Sequence, residues 1–126
     1  MIISVPILKD EEQEHPVPTH WRSKLKAIAD AIKDGNYSLS HLADVVPLDA
    51  DSAAEIAQSI ANYGCSLKSL PSETWNTSVC QWQLDHWQVL VDLFTVEEGR
   101  SDLALDVCIS EKAGEFVFNV HCVYVP

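Results

Sequence analysis

The spacing of apolar residues changes near residue 64, and this change constrains the fold more than any other feature of the chain. Upstream, apolar residues recur three or four positions apart, as on one side of an α-helix. Downstream, in segments such as DLALDVCIS and EFVFNVHCVYV, apolar and polar residues alternate, as in strands with one buried face. Helices followed by a run of strands indicate an α+β domain, in which the helices pack on the sheet.

Two segments upstream of the change have the spacing and the end signals of helices. The first, residues 19–35, has Thr19 in the position of an N-cap. The second, residues 51–64, begins with Ser52 and Glu55 in the spacing of a capping box. Each segment ends in a glycine, which favours termination of a helix.

The strand-like segments are separated by the short breaks DH, EEG and KAG, which predict an antiparallel meander. The expected fold is therefore α+β, with two N-terminal helices packed on one face of a four- to five-stranded antiparallel sheet. A cystatin-like or NTF2-like cone has the same order of elements. Residues 19–126 are expected to form one domain. Residues 1–18 are expected to form a short strand over residues 1–8 and an exposed linker that is rich in charge and proline.

The Glu-Glu-Gly loop at residues 97–99 predicts the register of one hairpin, because a type I turn followed by a left-handed glycine suits three-residue loops. This alignment pairs Val96 with Arg100 and Val91 with Leu105. One face of the hairpin is then wholly apolar, and the other carries several carboxylates. A slip of one residue would bury these carboxylates, so the register is well specified.

The chain is strongly acidic, with a net charge of −11. Residues 36–126 hold three basic and thirteen acidic side chains. Such a surface repels phosphate backbones, so we expect no nucleic-acid partner, and it attracts basic proteins. The alternative to a basic protein partner is that the acidity serves only to keep the chain soluble. The sequence contains no apolar run of membrane-spanning length and no signal peptide, so the sequence predicts a cytoplasmic protein without a membrane partner.

Four cysteines, Cys65, Cys80, Cys108 and Cys122, are scattered without a C-x-x-C pair. This spacing indicates free, buried thiols, whereas a zinc site or disulfides are the alternative. We therefore expect no cofactor, no metal ion and no catalytic residue.

The solvated face of the predicted sheet is where acid–base chemistry could occur. Asp92, Asp106 and His121 share this face if both hairpins have the expected registers, with Asn119 nearby and Cys122 on the opposite face. A His–Asp–Asp cluster can transfer protons or hold a metal ion. The alternative is an ordinary solvated sheet face, since these residue types are common there.

The candidates for partner binding combine the charged hairpin, the carboxylates of the solvated face and two tryptophans. A partly exposed tryptophan beside carboxylates is typical of protein interfaces. The alternative is that the charges form a solvated loop and that the tryptophans pack over the sheet edge. The candidate residues are Glu97, Glu98, Arg100, Asp102, Asp106, Asp92, Trp75 and Trp82.

The block from Trp87 to Leu105 has the pattern W-x-V-L-V-D-L-x-T-x-E-E-G-R-S-D-L-x-L. In this block and in the first helix, the chain resembles an uncharacterised family of small bacterial domains. Small acidic domains of this kind resemble the immunity proteins of polymorphic or contact-dependent toxin systems. This resemblance implies a cognate toxin as the partner, and it implies no catalytic residue.

Three functions are consistent with these observations. The first is an immunity protein that neutralises a toxin, such as a nuclease, by occluding its basic cleft. The second is a small-ligand-binding protein or an enzyme that uses an Asp/His pair. The third is a scaffold or dimerisation module.

Overall fold

The computed structural model describes residues 4–126, which contain two α-helices, one 3₁₀ helix and six strands. In chain order the elements are β1 (His15–Pro16), α1 (Thr19–Lys33), α2 (Ala50–Tyr63), β2 (Leu67–Lys68), the 3₁₀ helix (Ser72–Asn76), β3 (Val79–Trp82), β4 (Trp87–Thr95), β5 (Gly99–Lys112) and β6 (Glu115–Tyr124). In the described residues, neither helix has the length and apolar character required to cross a bilayer.

The strands of the described residues form one antiparallel sheet in the order β1-β3-β4-β5-β6, with β2 paired to the end of β4. The α+β class is therefore confirmed, but two details are wrong. In residues 4–126 the sheet has six strands rather than four or five, and β1 precedes α1, so the helices are not both N-terminal. The additional strand β1 has only two residues, which is too short to show a period in the sequence.

The segment before α1 is attached to the sheet. The indole nitrogen of Trp87 donates a hydrogen bond to the carbonyl oxygen of Leu8 at 2.9 Å. The side-chain amide of Gln81 donates one to the backbone carbonyl oxygen of Glu11 at 3.1 Å. A strand was expected over residues 1–8. Residues 4–8 are not in a strand, and residues 1–3 lie outside the described part of the chain. Linker-like composition therefore does not prevent this segment from packing against β3 and β4.

Both helices form where the spacing predicts them, but their caps differ from those expected. Pro18 precedes α1, and Thr19 is the first helical residue, with a hydroxyl that accepts a hydrogen bond from the N–H of Val5 at 2.7 Å. Asp49 caps α2, because its carboxylate accepts the N–H of Ser52 at 2.7 Å. The capping box is therefore replaced by an aspartate three residues upstream of Ser52.

The core is centred on two tryptophans that are fully buried. Trp21 of α1 contacts Trp87 of β4 edge to face, with ring centroids 5.1 Å apart. Burying rings of this size removes about 150–250 Å² each from water, which contributes about 4–6 kcal/mol per ring before entropy costs. The apolar face predicted for the β4–β5 hairpin is confirmed, since its members are buried: Trp87, Val89, Val91, Leu93, Leu103, Leu105, Val107 and Ile109.

The turn between β4 and β5 lies one residue earlier than predicted. Gly99 pairs with Thr95, so Val96 lies in the loop rather than in the ladder. The glycine has a φ of 74°, in the left-handed region that the turn requires. Further along the hairpin, Val91 pairs with Leu105, as predicted.

A bulge in β5 separates the turn from the rest of the hairpin. Between the pairs Asp92–Ala104 and Phe94–Arg100, three residues of β5 lie opposite one residue of β4. Arg100 therefore does not pair with residue 96. The hydroxyl of Ser101 occupies the bulge and donates a hydrogen bond to a carbonyl oxygen of β4 at 2.8 Å. Phe94 and Ala104 are also buried, although alternation placed them on the solvated face.

Candidate functional site

The tip of the β4–β5 hairpin presents an apolar side chain flanked by acidic residues. Val96 is 69% exposed, and Glu98 and Asp102 are also exposed. Glu97 is exposed, but its carboxylate accepts the N–H of Ser66 at 2.9 Å. This backbone hydrogen bond lowers the pKa of Glu97 and attaches the hairpin to the segment that follows α2. An apolar residue with a charged rim resembles the arrangement of protein interfaces.

Arg100 is exposed beside the carboxylates of the hairpin. In the part of the chain that the structure describes, its guanidinium forms no ion pair. The phenol oxygen of Tyr63 accepts the backbone N–H of Asp102 at 3.2 Å, so the backbone at the bulge is fixed by α2. The side chains of Glu98, Arg100 and Asp102 are exposed on a hairpin that contacts α2 through this hydrogen bond.

The two candidate tryptophans are half-buried, and a cationic side chain lies over each ring. The guanidinium carbon of Arg22 is 5.5 Å from the ring centre of Trp75. Trp82 stacks obliquely on Trp87, with centroids 4.5 Å apart, and the ammonium of Lys9 lies 5.1 Å from the Trp82 ring. These contacts explain both tryptophans by packing and cation–π attraction, while part of each ring faces solvent.

The turn between β3 and β4 contains a leucine in an unfavourable conformation. Leu84 has a φ of 76° and is 71% exposed. The N–H of Gln83 donates to the carbonyl of His86 at 2.7 Å and closes the turn around Leu84 and Asp85. A positive φ at the first of two loop residues is typical of type II′ turns, in which glycine dominates. Neither burial nor backbone preference therefore explains a leucine here, and strain of this kind is often associated with function.

Asp92, which was expected to join a His–Asp–Asp cluster, is bonded to the segment around the 3₁₀ helix instead. Its carboxylate accepts a hydrogen bond from the hydroxyl of Thr77. Its carbonyl oxygen accepts the Thr74 hydroxyl at 2.6 Å, and its N–H donates to the Ser78 hydroxyl at 2.9 Å. Asp92 therefore attaches the connection between β2 and β3 to strand β4.

Asp106 and His121 do come together, and the third member of their cluster is Cys122. A carboxylate oxygen, an imidazole nitrogen and the thiol sulfur all lie within 4.8 Å of one another. Asp106 is only 7% exposed, Cys122 is half-buried and His121 is exposed. The amide of Gln88 donates to the Asp106 carboxylate at 3.3 Å.

A second bulge, in β6, explains why two consecutive residues share this cluster. Asp106 pairs with Cys122, whereas the next residue of β5 pairs with Val120, so His121 is an additional residue in β6. Buried residues are two positions apart in a regular strand, but Val120 and the next buried residue of β6, Val123, are three positions apart. The shift of apolar residues from even to odd positions after residue 120 is the sequence feature that could have indicated this bulge and the role of Cys122.

Two depressions adjoin the cluster, and His121 lines both. Burial, and then the charge of Asp106, raise the pKa of the Cys122 thiol. The first depression has a volume of about 300 Å³ and is lined by Gln83, His86, Gln88, Asp106, Cys108 and His121. The second, of about 620 Å³, lies between β6 and the start of α2 and includes Asp49, Glu55, Cys108, Asn119, His121 and Cys122.

The candidate residues thus lie in separate places. One group occupies the β4–β5 hairpin near its turn: Glu97, Glu98, Arg100 and Asp102. Asp92 and Asp106 lie in the middle of the sheet, on β4 and β5, Trp75 lies in the 3₁₀ helix, and Trp82 ends β3. The sequence did not identify Leu84 or Cys122 as a candidate residue.

A family model described as a domain of unknown function, DUF7668, matches residues 29–126. This match spans most of the chain, which therefore belongs to that family. No curated protein and no solved structure gives a significant match.

Proposed function

We propose that the chain is a non-catalytic protein-binding domain whose β4–β5 hairpin tip binds a basic protein. The observation that supports this proposal best is the exposed Val96, flanked by the exposed acids Glu97, Glu98 and Asp102. An exposed valine contributes little to the fold. It can contribute to an interface, in which the surrounding carboxylates form the charged rim.

The charge of the whole chain supports a basic partner. A net charge of −11 creates a long-range field that accelerates the approach of a cationic surface and slows that of an acidic one. Rim carboxylates act mainly on the association rate, whereas the buried apolar contact acts on dissociation. The hairpin tip combines both kinds of group on a backbone that donates hydrogen bonds to Tyr63 and Ser66.

The partner class that we propose is a bacterial toxin domain, and the function is that of an immunity protein. A nuclease toxin has a basic cleft that binds phosphates, and carboxylates can occupy such a cleft in their place. The resemblance of the Trp87–Leu105 block to small acidic bacterial domains motivates this choice of partner.

The first experiment recovers proteins that bind to the immobilised chain from the source organism. The test bait carries Glu98→Lys and Asp102→Lys. A matched control bait carries Glu12→Lys and Glu14→Lys, two exposed acids of the N-terminal segment. Both baits change the net charge by the same amount. We expect a basic protein on the wild-type and control baits and its loss from the test bait. Equal recovery on all three baits would contradict a role for the hairpin.

A second experiment tests immunity directly. The recovered partner is expressed in a heterologous host with the wild-type chain, with the test variant or alone. We expect growth arrest by the partner alone, rescue by the wild-type chain and little rescue by the test variant. A partner that is harmless when expressed alone would exclude immunity while leaving protein binding intact.

A second candidate function is supported by the proximity of Asp106 and His121 beside the depression of about 300 Å³. A carboxylate and an imidazole in such a place can bind a small polar ligand or transfer protons. This function predicts that a small molecule remains bound through purification under native conditions, and that His121→Gln releases it. Mass spectrometry of the denatured wild-type protein and of this variant distinguishes the two candidates.

A further inference from the structure

We propose that Asp106, His121 and Cys122 form a binding site for one transition-metal ion of the zinc class. This proposal goes beyond the protein-binding function and does not depend on it, because the site lies in the middle of the sheet and the proposed interface lies at the hairpin turn. It also differs from the expectation, drawn from the scattered cysteines, that the chain holds no metal ion.

The geometry of the three donor atoms fits a tetrahedral ion. Zinc–ligand bonds of about 2.0–2.3 Å place neighbouring ligands roughly 3.3–3.8 Å apart. The three donor atoms already lie within 4.8 Å of one another. Closing the remaining gap requires side-chain movements of about 1 Å, which small rotations of the exposed His121 can supply.

The bulge in β6 brings the donors together. In a regular strand His121 and Cys122 would point to opposite faces, and only one of them could reach Asp106. The additional residue at position 121 turns both side chains away from the core that contains Val120 and Val123. Bulges interrupt the ladder and are often found beside functional sites, where they redirect a side chain.

The charge of Asp106 supplies an independent argument for a cation. Asp106 is 7% exposed as a whole residue, and it lines the smaller depression. In residues 4–126 its carboxylate forms no ion pair, and the single hydrogen bond that it accepts, from Gln88, is long at 3.3 Å. A cation that binds there would therefore not have to displace another charged partner of this carboxylate. The Cys122 thiol beside it becomes a strong ligand once a metal ion displaces its proton.

The donor types select the class of ion. Thiolate and imidazole ligands favour zinc, cobalt, nickel or copper, whereas magnesium and calcium prefer oxygen ligands alone. Three protein ligands leave the fourth position of a tetrahedral ion for water or for a ligand in the adjoining depression. The titratable groups around this position, from β5, β6, the β3–β4 turn and α2, are Asp106, Cys108, His121, His86, Asp49 and Glu55.

The test uses the full chain and zinc ions alone, with binding measured by calorimetry after chelator treatment. Cobalt titration provides a second measurement, because a cobalt–thiolate bond gives a charge-transfer band in the near ultraviolet. We expect one zinc ion per chain, and a cobalt–thiolate band that disappears in Cys122→Ser. Zinc affinity should decrease in Cys122→Ser, Asp106→Asn and His121→Gln by more than the roughly 10–100-fold caused by loss of an outer-shell partner.

The matched control is Cys65→Ser, which removes a free, half-buried thiol outside the cluster. It should keep both the affinity and the band. Adventitious zinc at the His15–Asp10 contact would give no thiolate band. If Cys122→Ser does not fold, as judged by circular dichroism, His121→Gln decides the matter because His121 is exposed. Absence of stoichiometric binding to the wild-type chain, or binding that survives all three substitutions, would overturn the proposal.

Discussion

Replacing Leu84 by glycine is expected to give a more stable protein than replacing it by alanine. At most positions the order is the reverse, because glycine has more freedom to lose on folding. Leu84 has a φ of 76°, however, and this conformation is strained for every residue that has a Cβ. Leu84→Ala removes the side chain and keeps the strain, whereas Leu84→Gly removes both.

The magnitude follows from three contributions. A left-handed conformation costs a residue with a Cβ about 1–2 kcal/mol, and the additional freedom of glycine in the unfolded chain costs about 0.5–1 kcal/mol. The difference favours Leu84→Gly over Leu84→Ala by about 0.5–1 kcal/mol. Leu84 is 71% exposed, so both variants lose less than a third of a leucine's burial energy, which is about 0.5–0.9 kcal/mol. Leu84→Gly should therefore be close to the wild type, and Leu84→Ala below it.

Thermal unfolding followed by circular dichroism measures this difference. For a chain of this length, we expect the Tm of Leu84→Gly to exceed that of Leu84→Ala by about 2–5 °C. Ala54→Gly, at an exposed position of α2, is the control, and it should lower the Tm because the helix there favours alanine. If Leu84→Ala is as stable as Leu84→Gly or more so, the turn is not strained, and the argument for a functional role of Leu84 is lost.

Three further predictions concern the turn, the 3₁₀ helix and the metal site. Gly99→Ala should destabilise the fold by about 0.5–1 kcal/mol in urea unfolding, because the added Cβ meets no atom within 4 Å and the strain at a φ of 74° exceeds the unfolded-chain freedom that the substitution removes. Thr74→Val should lower the free energy of unfolding by about 1–3 kcal/mol, since it leaves the carbonyl of Asp92 without the buried hydroxyl that donates to it at 2.6 Å. Zinc affinity should increase about tenfold per pH unit near neutrality, because burial and the charge of Asp106 raise the pKa of Cys122 and the ion must displace the thiol proton. Calorimetry at several pH values checks this slope, and a flat profile would exclude the thiolate as a ligand.

The parts of the fold that the sequence predicts are those in which a period persists over many residues. The buried stripe of α1 and the apolar face of β4 and β5 were found because each repeats its pattern for at least two turns or four pairs. β1 has only two residues, so no pattern could form. Its pairing depends on contacts with β3 that are distant in the sequence.

The bulges limited what could be predicted about the candidate sites. Alternation assigns each residue to a face, and one additional residue reverses every later assignment. The bulge at His121 therefore placed Cys122 beside Asp106. The hairpin carboxylates were easier to anticipate, because turn residues are exposed whatever the register.

The central claim, that the hairpin tip binds a basic protein, is tested most directly by the association rate of the recovered partner as a function of ionic strength. We expect this rate to decrease steeply between low and physiological salt, because the Debye length shortens from about 30 Å at 0.01 M to about 8 Å at 0.15 M. Glu98→Lys with Asp102→Lys should slow association at low salt much more than Glu12→Lys with Glu14→Lys, although both change the net charge equally. A rate that is independent of salt, or that responds equally to both pairs of substitutions, would contradict the account.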